Sequence, residues 1–177
     1  MNRLAALTLL VALVSTPLAC RRHKIRAQQT DEDPSAPGGA SLVRMGDAKA
    51  AWQLVSGFYG IEAGTWRWTA RRFSISLKPP AGAAEKGATL EMKLTIPPIT
   101  VQKLQSVTLT ASIGGTTFPS ETYSQEGVFT FKRDVPAGLL TGSTARVDFQ
   151  LDKAIPPGDT DLRELGIVAT SVALSPK

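Results

Sequence analysis

Histidine and cysteine are all but missing from the 177 residues: His23 and Cys20 are the only ones. A single cysteine excludes an intramolecular disulfide, and with one histidine there is no Cys/His cluster for a zinc site. Both residues stand near the N-terminus, so the rest of the chain lacks the base of a Ser-His-Asp nucleophile. No phosphate-cradling P-loop and no dinucleotide-binding glycine pattern occurs. Glycoside hydrolysis needs only two carboxylates, and Glu62, Glu91 and Asp148 are available, but nothing in the sequence pairs them. The expectation is a protein without catalytic residues, metal or cofactor. No repeat at a fixed period is visible, which argues against a solenoid or a propeller.

Charge of one sign does not gather on the body of the chain. Of the net +5, the basic residues Arg3, Arg21, Arg22, Lys24 and Arg26 and the acids Asp31, Glu32 and Asp33 precede Ser41. From Ser41 onward, 15 basic and 12 acidic residues leave +3, spread along the chain. Nucleic-acid binding favours a clustered basic face, so no nucleic-acid partner is expected.

The longest apolar run is short and lies at the start: Leu4 to Val14, behind Arg3 and before Ser15-Thr16-Pro17-Leu18-Ala19-Cys20. A basic start, an apolar middle and a small-residue end form the pattern of a secretory signal. The run falls short of the roughly 20 residues that cross a bilayer comfortably. The segment 1–20 resembles a bacterial lipoprotein signal, which implies Cys20 as the lipid acceptor. It departs from that pattern in having Pro17 three places before the cysteine and Leu18 one place late. An uncleaved anchor and plain cleavage after Ala19 are the alternatives. Arg21, Arg22, Lys24 and Arg26 pull the other way, since positive charge behind an apolar run favours retention inside. The cleavage-like ending favours export, with the protein held at the cell envelope, on a periplasmic or outer-membrane face. There the basic cluster either rests on anionic headgroups or is simply solvated. Residues 21–41 then read as a tether: Gln28 to Ala40 is polar, acidic and rich in Pro and Gly, with no large apolar side chain to bury.

Residues 42–177 form the expected domain. Ser41 to Trp52 holds a short helix or turn. Alternation with period two dominates afterwards. Phe73, Ile75 and Leu77 share a face, as do Leu90, Met92, Leu94 and Ile96, then Val107, Leu109, Ala111 and Ile113, then Ala145, Val147, Phe149 and Leu151. Thr116 to Phe118, Tyr123 with Val128 to Phe131, and Leu165 to Leu174 complete the strands. Pro79-Pro80, Pro97-Pro98, Gly114-Gly115 and Pro156-Pro157-Gly158 supply the breaks. Seven or eight short strands with frequent turns predict an all-β, antiparallel β-sandwich of jelly-roll type.

Two segments extend this reading. Gly57-Phe58-Tyr59-Gly60-Ile61-Glu62 with Trp66-Arg67-Trp68-Thr69, and Asp161-Leu162-Arg163-Glu164-Leu165-Gly166 in a D-x-R-x-L-G pattern, resemble the first and last strands of a β-sandwich module. That module occurs in bacterial envelope proteins and beside membrane glycosyltransferases. The resemblance spans about Trp52 to Leu174 and implies a galactose-binding-like jelly roll, a fold that often binds sugars. It implies no particular ligand.

The candidate ligand-binding residues are Tyr59, Glu62, Trp66, Arg67 and Trp68. Aromatic faces stack on sugar C–H surfaces, and charged groups hydrogen-bond hydroxyls. Strand parity puts Trp66 and Trp68 on the face opposite Phe73, Ile75 and Leu77. They then form either a surface platform or a plug at one end of the sandwich, with Arg67 paired to an acid. Asp159, Asp161 and Glu164 have the chemistry of a calcium site, against the simpler pairing of Asp161 with Arg163. The expected function is a non-catalytic envelope protein that binds a glycan or a similar polar ligand. The alternative is a structural or interaction subunit with an envelope protein as its partner.

Overall fold

A computed structural model describes residues 39–177. The leader, Cys20 and the tether up to residue 38 lie outside the described residues. In chain order the elements are β1 (Leu42–Arg44), β2 (Leu54–Phe58), β3 (Arg67–Leu77), α1 (Ala83–Lys86), β4 (Ala88–Ile96), α2 (Pro98–Leu104), β5 (Val107–Ile113), β6 (Thr116–Thr117), β7 (Glu121–Tyr123), β8 (Gly127–Val135), β9 (Ala145–Leu151) and β10 (Val168–Pro176). Among the described residues no helix is long and apolar enough to cross a membrane.

The strands form an antiparallel β-sandwich. In sheet A, β10 lies between β4 and an edge shared by β1 and the first residues of β3, and β4 carries β8 on its other side. In sheet B the order is β2, β3, β9, β5, with β6 and β7 side by side on the far edge of β5. The chain changes sheet at β1 to β2, β3 to β4, β4 to β5, β7 to β8, β8 to β9 and β9 to β10. That repeated crossing is the winding of a jelly roll.

β3 belongs to both sheets. Arg67 and Trp68 pair with Ala169 and Val168 in sheet A, while Arg72 to Leu77 pair with Gln150 to Ala145 in sheet B. The strand turns the corner between them, where its register against β2 slips. Gly166 makes this corner possible. Its N–H donates to the Thr69 carbonyl at 2.7 Å, and a Cβ there would meet the Ala70 carbonyl oxygen at 2.8 Å.

The alternating apolar residues fill the gap between the sheets. Leu90, Met92, Leu94, Ile96, Val107, Leu109, Val147 and Leu151 are fully buried. Phe73 and Phe149, directly opposite on β3 and β9, stack with centroids 5.0 Å apart. Phe131 meets Phe149 edge-on at 6.5 Å, and Phe58 meets Phe73 edge-on at 5.2 Å. Edge-on and offset ring pairs suit the aromatic quadrupole.

There are ten strands against the seven or eight expected: β2 shows no alternation, and β1 and β7 are only three residues long. Strands that short have no room to alternate. The region Ser41 to Trp52, expected as helix or turn, splits into β1 and a 3-10 turn, Ala48–Gln53. The expected loop from Pro79 to Gly87 contains the single turn α1. Pro97 follows the last residue of β4, and Pro98 is the first residue of α2, a place where the missing N–H costs nothing.

Gln53 closes the start of the domain. Its side chain is fully buried, accepts from the Ala40 N–H at 3.0 Å and donates to the Ala40 and Ser76 carbonyls at 3.0 and 2.8 Å. Gln53→Leu leaves three backbone groups without these partners. The expected loss is about 2–4 kcal/mol, at roughly 1 kcal/mol per net hydrogen bond. Denaturant unfolding checks the energy, and faster exchange of the Ala40 amide checks the location.

Candidate functional site

The five candidate residues come together in one hairpin between β2 and β3. The Tyr59 N–H donates to the Trp68 carbonyl at 3.0 Å, and Glu62 bridges to Trp66. Ala63 and Gly64 take positive φ values, 47° and 70°, to make the tip. Within this hairpin the polar ends are engaged internally. Arg67 is only 8 % exposed, and its guanidinium donates to the Met45 carbonyl at 2.9 Å and the Tyr59 carbonyl at 2.7 Å. Its partners are carbonyls rather than an acid, and burial draws its pKa below the ordinary arginine value. The Tyr59 hydroxyl donates to the Glu164 carbonyl at 2.9 Å. Glu62 accepts from Arg163 at 2.7 Å. Trp66 and Trp68 remain half-buried, meeting edge-to-face with centroids 6.4 Å apart.

The D-x-R-x-L-G segment is the other half of this arrangement. Arg163 grips Asp161 with two nitrogens, Nε to Oδ1 at 3.0 Å and a terminal nitrogen to Oδ2 at 2.8 Å, and lies 5.2 Å from the centroid of the Tyr59 ring. Leu165 exchanges two backbone hydrogen bonds with Ile155, and the Glu164 carboxylate accepts from the Arg71 N–H at 2.9 Å. The two recognisable segments therefore touch each other: Arg163 ties the last loop to the first hairpin. Asp161 is engaged by the Arg163 guanidinium, the pairing expected as the simpler alternative to a calcium site. Among the described residues no group of three or more His, Cys, Asp and Glu side chains is placed to hold a metal ion.

Arg163 holds the Asp161 carboxyl at about 2, chiefly through the side-chain hydrogen bond, from an ordinary value of 3.8. A depressed carboxylate contributes its stability above the unfolded value and loses it as pH falls through the folded one. The loop 156–167 is therefore expected to stay docked above pH 4 and to loosen between about pH 4 and pH 2. Limited proteolysis across that window reads the loosening. In Arg163→Met, the Asp161 carboxyl is expected to titrate back near 3.8, followed by NMR.

A separate concave feature lies on the outward face of sheet B. It is a groove of about 740 Å³. Cross-strand pairing lines up one row through it: Ser56 on β2, Ser74 on β3, Asp148 on β9, Ser112 on β5 and Thr117 on β6. The neighbouring row holds Arg72, Gln150 and Thr110. Ser56 and Ser74 share a hydrogen bond of 2.8 Å, and Arg146 reaches both Asp148 at 2.9 Å and Ser74 at 3.1 Å. At the end of the groove Asp152 accepts from the Thr108 N–H at 2.7 Å. Asp148 and Asp152 are four residues apart on an extended strand, so their backbones stand about 13 Å apart. Their side chains are also held by different partners. That spacing does not suit the paired carboxylates of glycoside hydrolysis.

Neither a family model nor a curated protein matches this chain. Among solved structures it is similar to one described as "CBM4 structure and function", at 13% sequence identity, over 77% of this chain and 85% of that one, with a TM-score of 0.36.

The groove residues were visible in the sequence only as the outward half of alternating strands. Ser74, Asp148, Gln150 and Ser112 each look like solvent-facing positions. Their single distinguishing signal is composition: these outward positions are short hydroxyls and hydrogen-bonding groups, whereas the outward face of β8 offers Val128, Thr130, Lys132 and Asp134.

Proposed function

We propose that this chain is a non-catalytic β-sandwich module of the cell envelope that binds a glycan along the groove of sheet B. The observation that carries this reading is the row from Ser56 to Thr117. It crosses five strands, about 19 Å at the usual strand spacing, and carries the Ser56, Ser112 and Thr117 hydroxyls and the Asp148 carboxylate, with the Ser74 hydroxyl buried beneath them. A ladder of short polar groups on rigid strands matches the repeated hydroxyls of an extended sugar chain, and pre-ordered groups lose little entropy on binding. Binding rather than turnover is the reading adopted, on a chain with no histidine or cysteine beyond position 23. Placement at the envelope rests on the leader: export through segment 1–20, with Cys20 lipidated or the leader kept as an anchor.

The groove is tested with Ser112→Trp, which fills it from β5. Loss of two or three polar contacts of about 1 kcal/mol each lowers glycan affinity at least about tenfold. Binding to immobilised envelope glycans, with unchanged circular dichroism, is the measurement. Unaltered binding in Ser112→Trp together with loss in Trp66→Ala and Trp68→Ala would move the site to the indole pair. Mass spectrometry of the N-terminus of membrane-extracted protein decides between lipid on Cys20, cleavage and a retained leader.

One observation favours the interaction-subunit reading. On the outward face of sheet A, Trp68, Val168, Thr95 and Val128 form a register row, and Val128 is 78 % exposed. Co-purification of an envelope protein that is lost in Val128→Lys, with no glycan bound by the wild type, would establish it.

A further inference from the structure

We infer that the groove of sheet B selects a carboxylated glycan, of the uronic-acid type, and that Arg72 is the residue that reads the carboxylate. This rests on the glycan-binding reading above and narrows its ligand class.

The charges of the groove are unevenly satisfied. Arg146 is held by Asp148 at 2.9 Å and by Ser74 at 3.1 Å, so one cation and one anion neutralise each other near the middle. Asp152 is drawn toward β5 by the Thr108 N–H at 2.7 Å. Arg72 faces outward from β3, directly opposite Gln150, and is exposed. Among the described residues its guanidinium has no hydrogen bond and no ion pair, and the Gln150 amide makes none either. The neighbouring Arg71 differs: its Nε donates to the Leu151 carbonyl at 3.1 Å and holds the corner of β3.

An arginine fork left open beside a free amide, on a rigid strand, is the geometry that takes a planar carboxylate through two parallel N–H···O bonds. Gln150 and Thr110, continuing the same row, are placed for the hydroxyls of the same sugar ring. Asp148 and Asp152 do not reverse this preference: Asp148 already holds a guanidinium, and Asp152 is anchored on the β5 side by the Thr108 N–H. The domain's net +3 adds long-range attraction for a polyanion.

The experiment compares polygalacturonate with the same polymer after carboxyl reduction, by calorimetry on the purified full chain at constant ionic strength. The wild type is expected to bind the acid form at least about tenfold more tightly, the scale of one charge-assisted bidentate contact. In Arg72→Gln the ratio of the two affinities is expected to fall to about one. In Arg72→Lys, which keeps the charge without the fork, it falls part of the way. Lys93→Gln, on the outward face of sheet A, removes the same charge away from the groove and is expected to keep the full ratio. A wild-type ratio near one overturns the carboxylate assignment while leaving a neutral glycan ligand standing. A ratio that drops equally in Lys93→Gln overturns it as well, by reducing it to net charge. Absence of binding to either polymer and to a panel of neutral envelope glycans overturns both this inference and the reading on which it rests.

Discussion

Phe149→Ala is expected to lower the stability of the domain by about 3–5 kcal/mol, the range for a large buried aromatic truncated to a methyl. Phe149 stacks on Phe73 at 5.0 Å and receives the edge of Phe131 at 6.5 Å, so the variant opens a void bordered by both sheets at once. The rigid strands on either side cannot collapse into it, which places the cost at the upper end for its type. The melting temperature should fall on the order of 10–20 °C. Gln150→Ala is the control: one residue along, on the outward face, it is expected to change stability by less than about 0.5 kcal/mol. If both variants melt together, the alternation of β9 between core and groove is wrong.

The second large effect is expected at Gly57. This glycine sits in β2 with φ at +73°, and a Cβ there would lie 2.1 Å from the Arg72 carbonyl oxygen and 2.7 Å from the Phe73 Cα. Those atoms are backbone of the adjacent strand, so the clash is relieved only by moving β2 off β3. Left-handed backbone costs an L-residue about 1–2 kcal/mol, and with the lost pairing Gly57→Ala should reach about 3–5 kcal/mol. Gly60→Ala, three residues away with nothing within 4 Å of its Cβ, is expected to be close to neutral. Because Ser56 and Arg72 flank the clash, Gly57→Ala should also disturb the groove. Hydrogen exchange localised to β2 and β3, together with weakened glycan binding, would show the two consequences in one variant.

Much of the sandwich is legible residue by residue. Leu90, Met92, Leu94 and Ile96 alternate with Glu91, Lys93 and Thr95, and they are β4; Val107 to Ile113 and Ala145 to Leu151 are β5 and β9 to the residue. β2 is not legible in this way. It runs along the edge of its sheet, so Leu54 is half-buried, Val55 and Ser56 are exposed, and no alternation marks it. The start of β3 is hidden for another reason: Trp66, Arg67, Trp68 and Thr69 carry a pattern of bulk and charge that suggests a ligand site. The buried members of that stretch are Arg67 and Thr69, each satisfied by hydrogen bonds that only the folded chain provides. The two segments around Tyr59 and around Arg163 each stand out in the sequence. Their contact across 101 residues, Glu62 to Arg163, does not.

The sequence settles which side chains of β4, β5 and β9 turn inward, because alternation is a local property of an extended backbone and the apolar set must leave water. It also settles that no histidine- or cysteine-based chemistry is available beyond position 23. The tertiary structure alone decided which outward residues stand beside one another. Ser56, Ser74, Asp148, Ser112 and Thr117 share a row only because strands far apart in sequence pair in one register, and because β3 bends from one sheet into the other where Gly166 packs against Thr69 and Ala70. Register is set by long-range pairing, and a one-residue slip would turn every groove side chain into the core.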